Sequence, residues 1–174
     1  MKFVSITKNE FEKYYNLLQD DFCFEERKAK QDELKALSNK YYKPCFIYDD
    51  EKLVGYFCYW EFEDFMYVEH FAILKELRGS GIGTKFFKWF LPTINKPFIL
   101  EVEDPVDEDT IRRVNFYKNS GFVLNNYEYY QPSYHDGSDS VPMKIVSYKS
   151  PITKQQFNDY INTMLATVYA KNSQ

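Results

Sequence analysis

Arg78-Gly79-Ser80-Gly81-Ile82-Gly83 sets glycines at alternate positions between a segment that reads as a strand and one that reads as a helix. That order builds a device for holding phosphate. The first-turn N–H groups of a helix have no intrahelical partner, and the helix dipole makes that end positive. Glycines let the backbone approach an anion with no Cβ in the way. The amides from Gly79 to Thr84 would form the nest, with Arg78 adding a charge beside it. An ordinary turn also explains three spaced glycines. Two other phosphate loops are excluded by residue order. The Walker loop ends in Gly-Lys-Ser/Thr, whereas this chain has Gly83-Thr84-Lys85. The dinucleotide fingerprint Gly-x-Gly-x-x-Gly needs a third glycine at a spacing that neither Gly79 nor Gly81 supplies.

The loop satisfies the pattern Arg/Gln-x-x-Gly-x-Gly/Ala through Arg78, Gly81 and Gly83. This is the acetyl-CoA motif of the GNAT superfamily of N-acetyltransferases, which the chain resembles. Glu69 to Leu77 resembles the strand and short turn that precede the motif. Asn115-Phe116-Tyr117-Lys118-Asn119-Ser120-Gly121-Phe122 is similar to the second signature, a helix closing with tyrosine and then Gly-Phe. The resemblance runs from about residue 3 to 148 in element order and is specific over 67–84 and 111–122. It implies acetyl-CoA as co-substrate, no metal, and transfer of the acetyl group to a primary amine by direct attack in a ternary complex. It implies a mixed α/β fold with a central, mostly antiparallel sheet flanked by helices.

Acetyl transfer from a thioester to an amine sets three tasks: deprotonating the ammonium, stabilising the oxyanion, and protonating the departing thiolate. Glu69 is the candidate base, directly or through a water. It is the one carboxylate in an otherwise apolar strand that feeds the loop, and partial burial would favour its role as acceptor. A solvent-facing strand glutamate is the alternative. His70 points to the other face of a regular strand, unless a bulge redirects it. By the resemblance, such a bulge exposes the main chain of Phe71, Ala72 and Ile73 to the thioester. Tyr117 is then the general acid, and Asn115 contacts the cofactor. The cofactor loop itself comprises Arg78, Gly79, Ser80, Gly81, Ile82, Gly83 and Thr84. Lys85 and Lys88 are weaker candidates for the 3′-phosphate, a solvated helix face being the default. Nothing local activates Cys23, Cys45 or Cys58 for a covalent acyl-enzyme. His135 and Asp136 are too few ligands for a metal site.

Other elements must position these residues. Short strands are expected at 3–6, 45–48, 53–60, 65–74, 98–102, 122–124, 127–131 and 143–148, with an acidic turn at Asp49-Asp50-Glu51. Helices are expected at 9–20, 25–37, from Ile82 to about Leu91, and after an Asp107 cap to about Asn119. A further helix lies within 151–174, with Thr153 and Gln156 at capping-box spacing and Phe157, Ile161, Met164, Leu165 and Val168 as its apolar stripe. Residues 1–150 therefore read as an acetyltransferase-like domain. Residues 151–174 are an extension packed on the same domain or on a partner, leaving a homodimer open.

The chain has 174 residues and a net charge of −4, which argues against a general nucleic-acid binder. No apolar run reaches the ~20 residues of a membrane span, and no signal peptide is evident. Three widely spaced cysteines fit reduced thiols, so a cytoplasmic location is expected. The acceptor amine is not legible. Glu61, Glu63 and Asp64 among aromatic residues suit a cation, but a solvated hairpin tip explains them too. Two other functions stay open: a non-catalytic acyl-CoA sensor, and an interaction module that retains the fold.

Overall fold

The computed structural model describes residues 1–170. Among them are seven strands, mostly antiparallel, and five α-helices, giving a mixed α/β fold. Two contact-defined units divide the chain. The first comprises Met1–Asp21 and Lys30–Leu100, and the second Phe22–Ala29 together with the residues from Glu101 onward.

In the first unit, β1 (Lys2–Ser5), β2 (Tyr42–Asp49), β3 (Lys52–Glu61) and β4 (Met66–Ile73) pair in sequence, each antiparallel to the next. The β2–β3 turn places Asp50 at φ 53, a conformation that aspartate tolerates better than most side chains. β5 (Phe98–Glu103) joins β4 in parallel through Phe98, Ile99 and Leu100. α1 (Phe11–Asp21) buries Phe11, Tyr14, Tyr15 and Leu18, all at the predicted helical spacing.

The helix after the glycine loop, α3 (Ile82–Phe90), buries Phe86, Phe87 and Phe90. Phe86 stacks on Phe71 of β4 at 5.0 Å, and Phe57 of β3 lies 5.1 Å from Phe86 and 5.0 Å from Phe90. Each buried phenylalanine contributes about 1.5–3 kcal/mol. This aromatic layer clamps α3 to β3 and β4 and so fixes where the loop begins.

The expected helix over 25–37 is in fact two pieces. A 3-10 turn spans Phe24–Glu26, and α2 spans only Lys30–Ala36. The stretch is mostly polar and α2 buries only Glu33, so no apolar stripe holds one continuous helix. Contacts within the second unit shape its first part instead. The Phe24 ring stacks on His135 at 3.6 Å, His135 Nε2 lies 2.8 Å from the Phe24 carbonyl, and Lys28 sits over Tyr134.

In the second unit, Asp107 caps α4 (Glu108–Asn119), and Gly121 at φ 92 closes it as expected. The two strands expected over 122–131 are one, β6 (Phe122–Gln131), paired with β7 (Val141–Tyr148). Asn125, in the gap expected between them, pairs with Ile145, and the register then shifts before Tyr129. Asn125 Nδ2 donates to Ile145 O and Ser147 Oγ, and its Oδ1 accepts from Ile152 N.

Thr153 caps α5 (Lys154–Thr167), with the capping box formed by Gln156. The stripe is displaced from the expected one: Tyr160 is buried, while Leu165 is 42% exposed. Phe157 meets Tyr127 and Tyr129 of β6, which sets the buried face at 157, 160, 164 and 168. Tyr169, just beyond α5, donates to Glu101 at 2.8 Å and accepts from Gln131.

Candidate active site

The antiparallel pairing of β3 and β4 slips at one point. Cys58 faces His70 and Tyr59 faces Val68, so Glu69 has no opposite residue. Glu69 is the extra residue of a β-bulge, a device that re-aims a side chain. The parallel ladder with β5 ends at Val68, one residue earlier. Beyond that point the edge of β4 through Phe71, Ala72 and Ile73 is not committed to the β5 ladder. Its other edge continues along β3 as far as Gly55. A Cβ on Gly55 would lie 2.3 Å from the Ala72 carbonyl oxygen, so this strand glycine permits a close backbone approach.

Glu69 is half-buried and accepts a 2.7 Å hydrogen bond from the Trp60 indole. The donor orients the carboxylate. His70 is buried beside it in the strand. The bulge foreseen through the family resemblance is therefore present, centred on the candidate base.

After β4, a 3-10 turn (Lys75–Leu77) leads into the glycine loop. Gly79 and Gly81 adopt φ values of 77° and 84°, left-handed conformations that other residues enter at a cost. No atom lies within 4 Å of the place where a Cβ would stand on either. The glycines thus leave open space at the loop that side chains would enter. Gly81 is the N-cap of α3, and the first helical bond runs from Lys85 N to Gly81 O. The amides of Ile82, Gly83 and Thr84 precede that bond and have no partner within the helix, which leaves donors at its positive end. Ser80 turns its hydroxyl back onto Leu77 O at 2.5 Å, closing the turn.

Arg78 is ion-paired with the carboxylate of Asp21 at the end of α1, and its Nε donates to Ile73 O at 2.9 Å. Asp21 also accepts from Tyr56. The guanidinium therefore ties the base of the loop to α1 and to the end of β4. Lys85 pairs with Asp49 at 2.6 Å, so its ammonium serves the β2–β3 turn.

In the second unit, Tyr117 is on the buried side of α4, between Phe116 and Phe122. Burial pushes its phenol up to about 12, with Arg113 pulling the other way. Asn115 is exposed on the same helix.

The family pattern described as acetyltransferase (GNAT) matches residues 11–122, which contain the bulged strand, the glycine loop and the Tyr117 helix. The chain belongs to the GNAT acetyltransferase family. A solved structure from Bacteroides thetaiotaomicron, named as a GNAT-family acetyltransferase, is 31% identical. It has a TM-score of 0.91, with 98% of this chain and 100% of that one covered. YjbC of Bacillus subtilis (strain 168), also named as an acetyltransferase, is 36% identical over 115 residues. That match covers 63% of this chain and 56% of YjbC, so the chain spans little more than half of that relative. Spermidine N-acetyltransferase from Vibrio cholerae, solved with CoA and spermine, shares the fold at TM-score 0.58 and 16% identity, over 84% of this chain and 93% of its own.

Two features of the site escaped the sequence. The Trp60–Glu69 hydrogen bond joins residues on neighbouring strands, and Arg78 meets Asp21 across 57 positions. No group of three or more metal-ligating side chains occurs among the described residues. No described helix is long and apolar enough to cross a membrane.

Proposed function

We propose that the chain transfers an acetyl group from acetyl-CoA to a primary amine by direct attack in a ternary complex. The observation that carries this reading is the junction of bulge and loop. One strand offers a carboxylate and uncommitted backbone, and it leads straight into a helix start whose two left-handed glycines leave room for an anion.

The pyrophosphate would lie on the amides from Gly79 to Thr84, and the thioester along Phe71, Ala72 and Ile73. Arg78 braces the loop through Asp21 and Ile73. Asn115 supplies an amide to the cofactor. Glu69 takes one proton from the acceptor's ammonium, freeing the lone pair. The nitrogen then bonds to the acetyl carbon, the C–S bond breaks, and CoA leaves as a thiolate that takes up a proton. The second proton of the original ammonium is lost as the tetrahedral adduct collapses to the amide. The sum is ammonium plus acetyl-CoA giving N-acetylamine, CoA thiol and one proton.

Tyr117 is the acid in this scheme. With its phenol at about 12 and a free thiol near ~8.5, the proton reaches the thiolate only if the site narrows that gap. This observation favours a second reading, an acyl-CoA sensor in which Tyr117 is packing alone.

The test is acetyl-CoA-dependent release of CoA thiol with a panel of primary amines, on the wild type and Glu69→Gln. Turnover that falls in Glu69→Gln, most steeply at low pH where more amine is protonated, supports the scheme. Binding of acetyl-CoA without turnover on any amine moves the sensor to first place.

A further inference from the structure

Glu33 is the only buried residue of α2, and it is fully buried at 0% exposure. Its Oε1 accepts from the hydroxyls of Tyr14 at 2.8 Å and Tyr42 at 2.5 Å. Its Oε2, also buried, has no hydrogen-bond partner among the described residues. Removing a carboxylate from water costs several kcal/mol unless charge or hydrogen bonds compensate. A glutamine would accept both tyrosine bonds without burying a charge. The charge and the second oxygen are therefore what distinguish Glu33 from its neutral isostere.

The surroundings connect Glu33 to the candidate base. Tyr42 and Trp60 are cross-strand partners with ring centroids 4.8 Å apart. Glu33 bonds the hydroxyl of Tyr42, and Trp60 bonds Glu69. The two carboxylates thus flank one aromatic pair, of the kind whose faces attract cations. Both also act on the same groups: burial pushes the Tyr42 phenol up, and Cys58, Glu33, Tyr14 and Glu69 add to the rise. β2 and β4 stand two strand spacings apart, about 10 Å between backbones, enough for several methylenes.

We propose that Glu33 Oε2 and the Tyr42–Trp60 rings form a buried ammonium subsite, making the acceptor an aliphatic diamine or polyamine. One nitrogen loses its proton at Glu69 and is acetylated, while the other stays charged at Glu33. This rests on the acetyl-transfer reading above and adds its substrate class.

The experiment measures acetyl-CoA-dependent kinetics with n-butylamine, n-octylamine, 1,4-diaminobutane and 1,8-diaminooctane, on the wild type, Glu33→Gln and Glu33→Asp. A charge-assisted pairing in a dry site predicts KM at least about tenfold lower for a diamine than for the monoamine of equal length. In Glu33→Gln that ratio collapses through KM, and Glu33→Asp recovers part of it. Equal wild-type KM values for diamine and monoamine would overturn the subsite whether or not the variants fold. A wild-type preference that survives in Glu33→Gln would also overturn it, placing the counter-charge elsewhere. Failure to acetylate any amine, including the monoamines, would instead strike at the acetyl-transfer reading.

Discussion

Replacing Gly81 with alanine separates the two things a left-handed glycine can do. No atom lies within 4 Å of the added Cβ, so the substitution meets no steric obstacle within the protein. The backbone remains at φ 84, where a non-glycine residue costs roughly 1–2 kcal/mol. For a domain of this length each kcal/mol moves Tm by about 2–4 °C, so the expected fall is about 2–8 °C. Gly137 supplies the control. It has nearly the same conformation, φ 80, and equally open space at its Cβ, but stands in the loop between β6 and β7. Gly137→Ala should show a similar fall.

The two variants part company when ligand is added. At 100 times its dissociation constant, acetyl-CoA stabilises the wild type by roughly 2.7 kcal/mol, about 5–10 °C in Tm. Gly137→Ala should keep that shift. Gly81→Ala should lose it at the same acetyl-CoA concentration, because its methyl group occupies the space the pyrophosphate needs. Thermal unfolding of the three proteins, with CoA, ATP and NAD as comparison ligands, gives the answer directly. A full acetyl-CoA shift in Gly81→Ala would refute the loop assignment. Equal loss in both variants would show that the effect was general destabilisation.

Tyr117→Phe should lower turnover far more than it weakens acetyl-CoA binding, and unchanged steady-state kinetics would remove Tyr117 from the chemistry. Its raised pKa also fixes a sign: the phenol holds its proton to about pH 12, so Tyr117 ionisation should cause no loss of rate between pH 8 and 10. An alkaline limb in that range that disappears in Tyr117→Phe would contradict this. Gly55→Ala should cost about 1–3 kcal/mol by driving a methyl group against the Ala72 carbonyl, lowering Tm by several degrees. It should also slow acetyl transfer by displacing the strand proposed to lie along the thioester; wild-type turnover at a temperature where it stays folded would free β4 of that role.

Much of the site was legible because its constraints are local. Gly79 and Gly81 announce themselves by spacing, and Asp107 and Thr153 by cap chemistry with a partner three residues on. The Phe86, Phe87 and Phe90 face follows from helical period alone. Glu33 is the opposite case. In sequence it is one acid in a polar stretch, and its meaning comes from Tyr14, Tyr42 and Trp60, which three other elements bring together. Nothing in residues 30–36 encodes that convergence. The segment over 25–37 misleads for the same reason, since its first part is held by contacts of Phe24 and Lys28 with His135 and Tyr134 rather than by its own propensity.

The bulge at Glu69 shows why the chemistry should sit at this junction. In a regular strand, successive side chains alternate, and pairing on both edges would consume the backbone groups an oxyanion needs. One extra residue breaks that regularity at the carboxylate, just after the parallel ladder to β5 ends. Beyond it, the strand remains held on one edge by β3, with Gly55 allowing a close fit, and beneath by the stacking of Phe71 on Phe86. A strand fixed on one edge and open on the other can present backbone donors without reorganising. The same Phe71–Phe86 contact fixes the start of α3, so the bulged strand, its open edge and the first-turn amides of α3 share one aromatic layer. Their positions should therefore respond together to a change in that layer, whereas Glu33, on its own helix, stands outside it.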